Sequence, residues 1–348
     1  MEKVRLGRTE LMVTKLGFGG IPIQRDTEED AISVVKRCLD LGINYIDTAN
    51  GYTTSEERIG KAVAGRRDKV IIATKTGARN RDDVAKHLNL SLERLQTDYI
   101  DIYQFHGVNN QKHLDSILEP NGLLSVVREA KKSGKVRHIS ITSHQMDIAK
   151  KAIATDQFET IMFPFNFVTD EAATQLLPLA RQHDVGFIAM KPLAGGMLDN
   201  PRLAFKYLFQ FPDVLPIPGI EKVEEIEEIV EILEAGKKMT AAEKREMASL
   251  KDELGHKFCH RCDYCQPCTM NIPISTVLTS GSFAKRLPEE RFFGDMVAKA
   301  MEAASNCADC GECETRCPYE LPIRTLLNEQ VDWFQAKKKE YLARTAAK

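Results

Sequence analysis

Eight of the nine cysteines stand in two runs, Cys259, Cys262, Cys265 and Cys268, then Cys307, Cys310, Cys313 and Cys317. The second run, closed by Pro318, has the C-x₂-C-x₂-C-x₃-C-P spacing of bacterial iron–sulfur proteins, and the first is the same pattern one residue short. Three thiolates spaced by two residues can wrap one cubane, because a tight turn carries each to a different iron, while the displaced fourth reaches the other cluster. The expected ligand sets are therefore Cys259, Cys262, Cys265 and Cys317 for one [4Fe–4S] cluster, and Cys307, Cys310, Cys313 and Cys268 for a second. Structural zinc is the competing reading, since eight thiolates suffice for two tetrahedral ions, but zinc sites usually gather two separated pairs. Both runs continue alike, with Thr-Met-Asn-Ile-Pro-Ile274 after Cys268 and Pro-Tyr-Glu-Leu-Pro-Ile323 after Cys317. Such an internal repeat implies two half-sites related by approximate symmetry. Cys38, on the apolar stripe of a helix, reads as a buried core thiol.

A second constellation is Asp47, Tyr52, Lys75 and His106. A tyrosine with its ordinary pKa near ~10 donates a proton poorly at neutral pH unless a nearby cation favours the phenolate. Lys75 can supply that cation, Asp47 can keep the lysine charged and oriented, and His106 can bond the oxygen of a bound carbonyl. Singly each has a plain structural reading as a loop cap, a snorkelling lysine or a core histidine. At three consecutive strand ends they make a coherent acid.

Positioning these residues requires strands. Between about residues 16 and 235, β-rich runs at 16–20, 44–47, 70–75, 100–105, 136–142, 160–163, 186–190 and 214–217 alternate with amphipathic stretches. One such stretch, 28–41, carries Ala31, Val34, Val35, Cys38 and Leu39 on one stripe behind a Thr27 cap. Eight β/α units predict a TIM (β/α)₈ barrel, in which functional residues lie at the C-terminal ends of strands. A doubly wound open sheet is the alternative, but no Gly-x-Gly-x-x-Gly follows the first strand. Residues 1–15 read as a β-hairpin that could plug the barrel floor. The expected division is a barrel over 1–240, a helical connector over 241–256 opened by a Thr240/Glu243 capping box, a mainly α-helical cluster domain over 257–330, and a helical tail over 331–348.

Composition narrows the partners. With 48 Lys+Arg against 50 Asp+Glu and a net charge of −2, the chain has no excess positive charge for a nucleic acid backbone. No run of about 18 apolar residues is present, so no membrane span is expected. The first fourteen residues are charged and lack an apolar block, unlike a secretory signal, which makes the cytoplasm the expected compartment.

Several motifs together resemble the aldo-keto reductases: Leu16-Gly-Phe-Gly-Gly20, Tyr45-Ile-Asp47-Thr-Ala-Asn-Gly-Tyr52, Ile71-Ile-Ala-Thr-Lys75, Asp101-Ile-Tyr-Gln-Phe-His106, Lys191-Pro-Leu-Ala-Gly-Gly196 and Ile217-Pro-Gly219. The cysteine-rich end resembles a two-cluster ferredoxin. The resemblance implies hydride transfer between NADP(H) or NAD(H) and a small carbonyl or alcohol substrate, with Tyr52 as proton donor and Asp47, Lys75 and His106 completing the tetrad. It also implies nucleotide contacts from Gly19, Thr142, Ser143, Asn166, Met190, Lys191, Pro192, Leu193, Gly195, Gly196, Gly219 and Lys222. Among these, Gly195 and Gly196 would let backbone approach a pyrophosphate, and Gly219 opens the last helix, whose amides attract anions. The chain departs from the family around the nicotinamide. Thr142-Ser143 stands where Ser-Asn is usual, Met162 where Gln is usual, and Met190 where an aromatic stacks. Lys222 is the only base beside Glu221, Glu224 and Glu225, so the choice between NADP and NAD is open. The two halves also conflict chemically, because nicotinamides move electron pairs and cubanes move single electrons. Either the clusters serve another partner, such as a redox protein, or the barrel no longer uses nicotinamide and the chain is an electron-transfer or redox-sensing protein. A third reading makes the clusters purely structural.

Overall fold

A computed structural model describes residues 1–255 and 258–346, which divide into two compact units, Met1–Lys244 and Arg245–Lys348. The first begins with an antiparallel hairpin of β1 (Lys3–Arg5) and β2 (Met12–Thr14). Eight parallel strands follow: β3 (Phe18–Gly19), β4 (Tyr45–Asp47), β5 (Ile71–Thr76), β6 (Ile100–Phe105), β7 (Val136–Thr142), β8 (Thr160–Pro164), β9 (Gly186–Met190) and β10 (Val214–Ile217). They lie in chain order, and a parallel bridge between Gly19 and Gly219 joins the last to the first. At this seam the Gly17 and Gly19 amides donate to the carbonyls of Pro216 (3.0 Å) and Pro218 (2.7 Å). A Cβ on Gly19 would come within 2.6 Å of the Pro218 oxygen, so closure requires glycine there. The sheet is thus a TIM-like barrel rather than the open alternative.

Period-two alternation sorts the strand residues between two cores. Tyr45, Ala73, Ile102, Met162, Ile188, Leu215 and Ile217 face inward, joined by Leu6 and Val13 of the hairpin. Arg8 and Lys15 tie the hairpin region to Asp184 and Phe211, just before β9 and β10, so the hairpin closes the N-terminal mouth. Outward residues such as Ile46, Ile72, Phe105, Ile141 and Ile161 pack with the helices in the larger core, which includes Cys38. Each fully buried aliphatic or Phe side chain contributes roughly 1.5–3 kcal/mol. The helix Glu28–Asp40 starts at Thr27, whose hydroxyl accepts from the Asp30 amide at 3.2 Å. Thr240 and Glu243 reciprocate across the start of Ala241–Gly255, at 2.8 and 3.1 Å.

The second unit is built from helices, including Ile274–Leu278, Asp295–Ser305 and Ile323–Ala346. Its core gathers Ile272, Val277, Phe292, Val297, Met301, Leu327 and Phe334, with Cys265 and Cys313 embedded among them. The helices Glu289–Phe292 and Asp295–Ser305 are separated where Gly294 takes an extended conformation. Ile323–Ala346 runs unbroken across the expected boundary at 330/331, and it docks through Val331, Phe334 and a 2.6 Å bond from Ser280 to Gln330. The expected boundary at 256/257 and the last two residues of the tail lie outside the described residues. Among the described residues no helix is long and apolar enough to cross a membrane.

Candidate functional site

Asp47 ends β4, Lys75 is the penultimate residue of β5 and His106 follows β6, which brings them to the C-terminal mouth of the barrel with Tyr52 in the loop after β4. Asp47 and Lys75 are 3% and 1% exposed. The Lys75 ammonium donates to Asp47 and, at 2.6 Å, to the Thr48 carbonyl. It lies 5.0 Å from the centroid of the Tyr52 ring. The Tyr52 and His106 rings meet edge to face with centroids 5.9 Å apart. Burial alone would lower the Lys75 pKa, but the charges of Asp47 and Tyr52 and their hydrogen bonds hold it above the ordinary range. Burial pushes the Asp47 carboxyl up, against the opposing pull of Lys75 and a hydrogen bond from Gln104. The arrangement holds a cation over the phenol ring and an imidazole edge to face with it.

Sequence reasoning missed the layer beneath. Gln104 shares the inward parity of Ile102, and its amide donates to the second Asp47 oxygen at 2.8 Å. Its carbonyl accepts from Ser140 at 3.4 Å, and Thr160 donates to Ser140 at 2.6 Å. These three residues are fully buried, so a polar chain crosses the barrel interior from β5 to β8. A lone amide sharing the inward parity of Ile100 and Ile102 was the available signal.

The other mouth residues divide by what they touch. The Thr142 hydroxyl accepts from the Gly107 amide at 2.8 Å, and the Ser143 hydroxyl donates to the Gln145 carbonyl at 3.2 Å. The Asn166 side chain donates to the Lys191 carbonyl (3.1 Å) and accepts from the Val168 (3.0 Å) and Thr169 (2.9 Å) amides, so it joins the loops after β8 and β9. Met190 is the inward, half-buried end of β9, and Met162 is buried beside it in the barrel core. In the following loop Pro192 is buried and Leu193 half-buried. Lys191, Ala194, Gly195 and Gly196 are left-handed, at φ 57°, 49°, 72° and 91°. For the two non-glycines that conformation costs roughly 1–2 kcal/mol each. Gly19 and Gly219 form the barrel seam, and exposed Lys222 immediately precedes the helix Val223–Glu234. At that helix start the Glu225 carboxylate accepts from the Glu221 (2.8 Å) and Lys222 (3.1 Å) amides. The chain thus puts its own anion on amides that would attract one.

In the second unit Cys268, Cys307, Cys310 and Cys313 line one cleft. Cys259, Cys262, Cys265 and Cys317 are near enough to act electrostatically among themselves. Burial pushes the Cys259 thiol up to about 11 and the Cys265 thiol up to about 12. Metal binding replaces those protons. Left-handed residues recur at equivalent places in the two runs: Arg261 and Asp309, Asp263 and Gly311, Asn271 and Glu320. The internal repeat therefore extends to the backbone.

The description "Aldo/keto reductase family" matches residues 15–203, and "4Fe-4S dicluster domain" matches residues 258–322. An uncharacterized oxidoreductase of Bacillus subtilis, YqkF, is 31% identical over 58% of this chain and 68% of its own. The L-galactose dehydrogenase of Arabidopsis thaliana is 34% identical over 56% of this chain and 66% of its own. The holo form of an aldo-keto reductase from Bacillus halodurans superposes with a TM-score of 0.62 at 28% identity, covering 72% of this chain and 96% of that one. With its barrel, its mouth residues and these similarities together, the chain belongs to the aldo/keto reductase family and carries a 4Fe-4S dicluster domain after the barrel.

Proposed function

We propose that the barrel transfers hydride between a nicotinamide nucleotide and a small carbonyl or alcohol substrate, with Tyr52 as the acid and base. The observation that carries this reading is the buried Lys75, held charged by Asp47 and lying against the Tyr52 ring. When bound, the nicotinamide supplies or accepts the hydride at the substrate carbon. Tyr52 delivers the proton to the carbonyl oxygen, Lys75 stabilises the phenolate left behind, and His106 orients that oxygen. Gln104 keeps Asp47 turned toward Lys75. The left-handed turn ending in Gly195 and Gly196 is the proposed pyrophosphate stretch, because two glycines without Cβ let backbone approach closely. The Glu225 cap and the neighbouring Glu221 and Glu224 disfavour a 2′-phosphate, so we propose NAD(H) over NADP(H). Tyr52→Phe is expected to cut carbonyl reduction by about 10²–10⁴-fold while cofactor affinity, read by fluorescence titration, stays nearly unchanged. Unchanged turnover removes Tyr52 from this role.

The second unit is proposed to hold two [4Fe–4S] clusters, one on Cys259, Cys262, Cys265 and Cys317, the other on Cys268, Cys307, Cys310 and Cys313. A second reading, an electron-transfer or redox-sensing protein whose barrel no longer uses nicotinamide, draws support from Thr142, Ser143 and Asn166, whose side chains serve backbone turns. Titration with NADH and NADPH separates the two: tight binding of neither by protein with full iron and sulfide content favours the second.

A further inference from the structure

The two thiol sets occupy equivalent positions of one repeat, yet their surroundings differ. After Cys259 comes His260, and two residues after Cys317 comes Tyr319. Their rings stack with centroids 3.7 Å apart at 12°, and Phe258 stacks on the other face of His260 at 5.0 Å and 6°. The equivalent positions of the other set carry Ala308 after Cys307 and Met270 after Cys268. Both line the cleft, Met270 is 43% exposed, and Cys310 is itself exposed. Aromatic rings thus stack beside one set, where an alanine and an exposed methionine leave the other open.

We infer that the cleft at Cys268, Cys307, Cys310 and Cys313 is the port through which a one-electron carrier exchanges electrons with this protein, and that the stack of Phe258, His260 and Tyr319 closes the other set to it. This rests on the two-cluster reading above. The step is simple to balance: the carrier is oxidised by one electron, the cluster in the cleft is reduced by one, and no bond or proton moves. Exchange at the cleft follows because an exposed ligand sulfur shortens the path from a docked carrier, whereas stacked rings lengthen it. Solvent access also tunes the potential of such a cluster.

The test uses anaerobic holoprotein treated with limiting ferricyanide and EDTA, read by iron release and by the EPR signal of the oxidised cluster. Iron is expected to leave in two equal phases. Cys310→Ser should alter the rate and signal of the fast phase alone. The double variant Met270→Tyr with Ala308→His should merge the fast phase into the slow one, and His260→Ala should turn the slow phase fast. The last variant removes one ring and stands as an independent check if the double variant misfolds. Reduction by methyl viologen radical in stopped flow should show the same order of phases. A single phase for all the iron, or a fast phase indifferent to Cys310→Ser and altered by Cys262→Ser, overturns the inference while leaving two clusters in place. Untreated protein with only one cluster's iron overturns the two-cluster reading itself, and this inference with it.

Discussion

The barrel mouth and the cysteine unit solve the same problem, holding several functional atoms in register, by opposite means. At the mouth the holders are strands. Asp47 pairs with Ala73, Lys75 pairs with Gln104, and the register across β4, β5 and β6 delivers the carboxylate, ammonium and amide to one point inside the barrel. Every one of these groups has a protein partner, so the site is complete without any ligand. In the cysteine unit the holders are turns. Five non-glycine residues there, Arg261, Asp263, Asn271, Asp309 and Glu320, take left-handed conformations, which cost Arg261 and Glu320 about 1–2 kcal/mol each and are easier for the Asp and Asn residues. Two thiols, Cys265 and Cys313, are part of the hydrophobic core itself. On the two-cluster reading proposed above, a unit whose core contains the ligand thiols depends on the metal for its stability. A barrel whose buried charges are mutually paired does not.

That contrast can be broken most directly at Lys75. Lys75→Met leaves Asp47 buried without its counter-charge, which costs about 3–5 kcal/mol. Lys75→Met with Asp47→Asn should recover most of that stability in denaturant titrations while carbonyl reduction stays depressed by about 10²–10⁴-fold. Failure of the double variant to recover would mean that the pair is not the self-sufficient unit described. The complementary intervention is removal of iron. Chelation should abolish the calorimetric transition of the cysteine unit and leave that of the barrel, because ligand binding there is folding free energy. Survival of both transitions would make the clusters passengers rather than structural elements.

The smallest effect sharpens the comparison within the barrel. Gln104 holds Asp47 below where burial alone would put it, so Gln104→Leu should raise the Asp47 pKa further. Asp47 then protonates at a higher pH, Lys75 loses its counter-charge there, and the acid limb of the rate–pH profile moves upward. At its plateau turnover should fall about tenfold, corresponding to a lost hydrogen bond of about 1.4 kcal/mol. An unmoved acid limb with lower turnover would mark Gln104 as a packing residue only.

Much of this was legible in the sequence for a definite reason. Parallel strands buried on both faces read as apolar runs, and those at 100–105, 136–142, 186–190 and 214–217 coincide with β6, β7, β9 and β10. The run at 16–20 shrinks to Phe18–Gly19, since Gly17 and Gly19 bond instead to the far edge of the sheet, and closure depends on the last strand. The aspartate, tyrosine, lysine and histidine stood out because their positions follow from strand ends. Gln104, Ser140 and Thr160 did not, because their meeting depends on register between strands far apart in sequence. Nor could residue type show that the Thr142, Ser143 and Asn166 side chains turn toward backbone. The helix Ile323–Ala346 mixes a buried stripe with a charged solvent face, and the boundary expected at 330/331 falls inside it.

The seam at Gly19 and Gly219 has a consequence for how such a protein can change. Both glycines belong to the candidate nucleotide site, yet they are also where the sheet meets itself, and at Gly19 a side chain would strike a carbonyl oxygen. New cofactor preferences therefore cannot be acquired at the seam without opening the barrel. Variation is channelled to the exposed residues at the acidic start of the last barrel helix, such as Lys222 and Glu224, where a residue can be exchanged at little cost to the architecture.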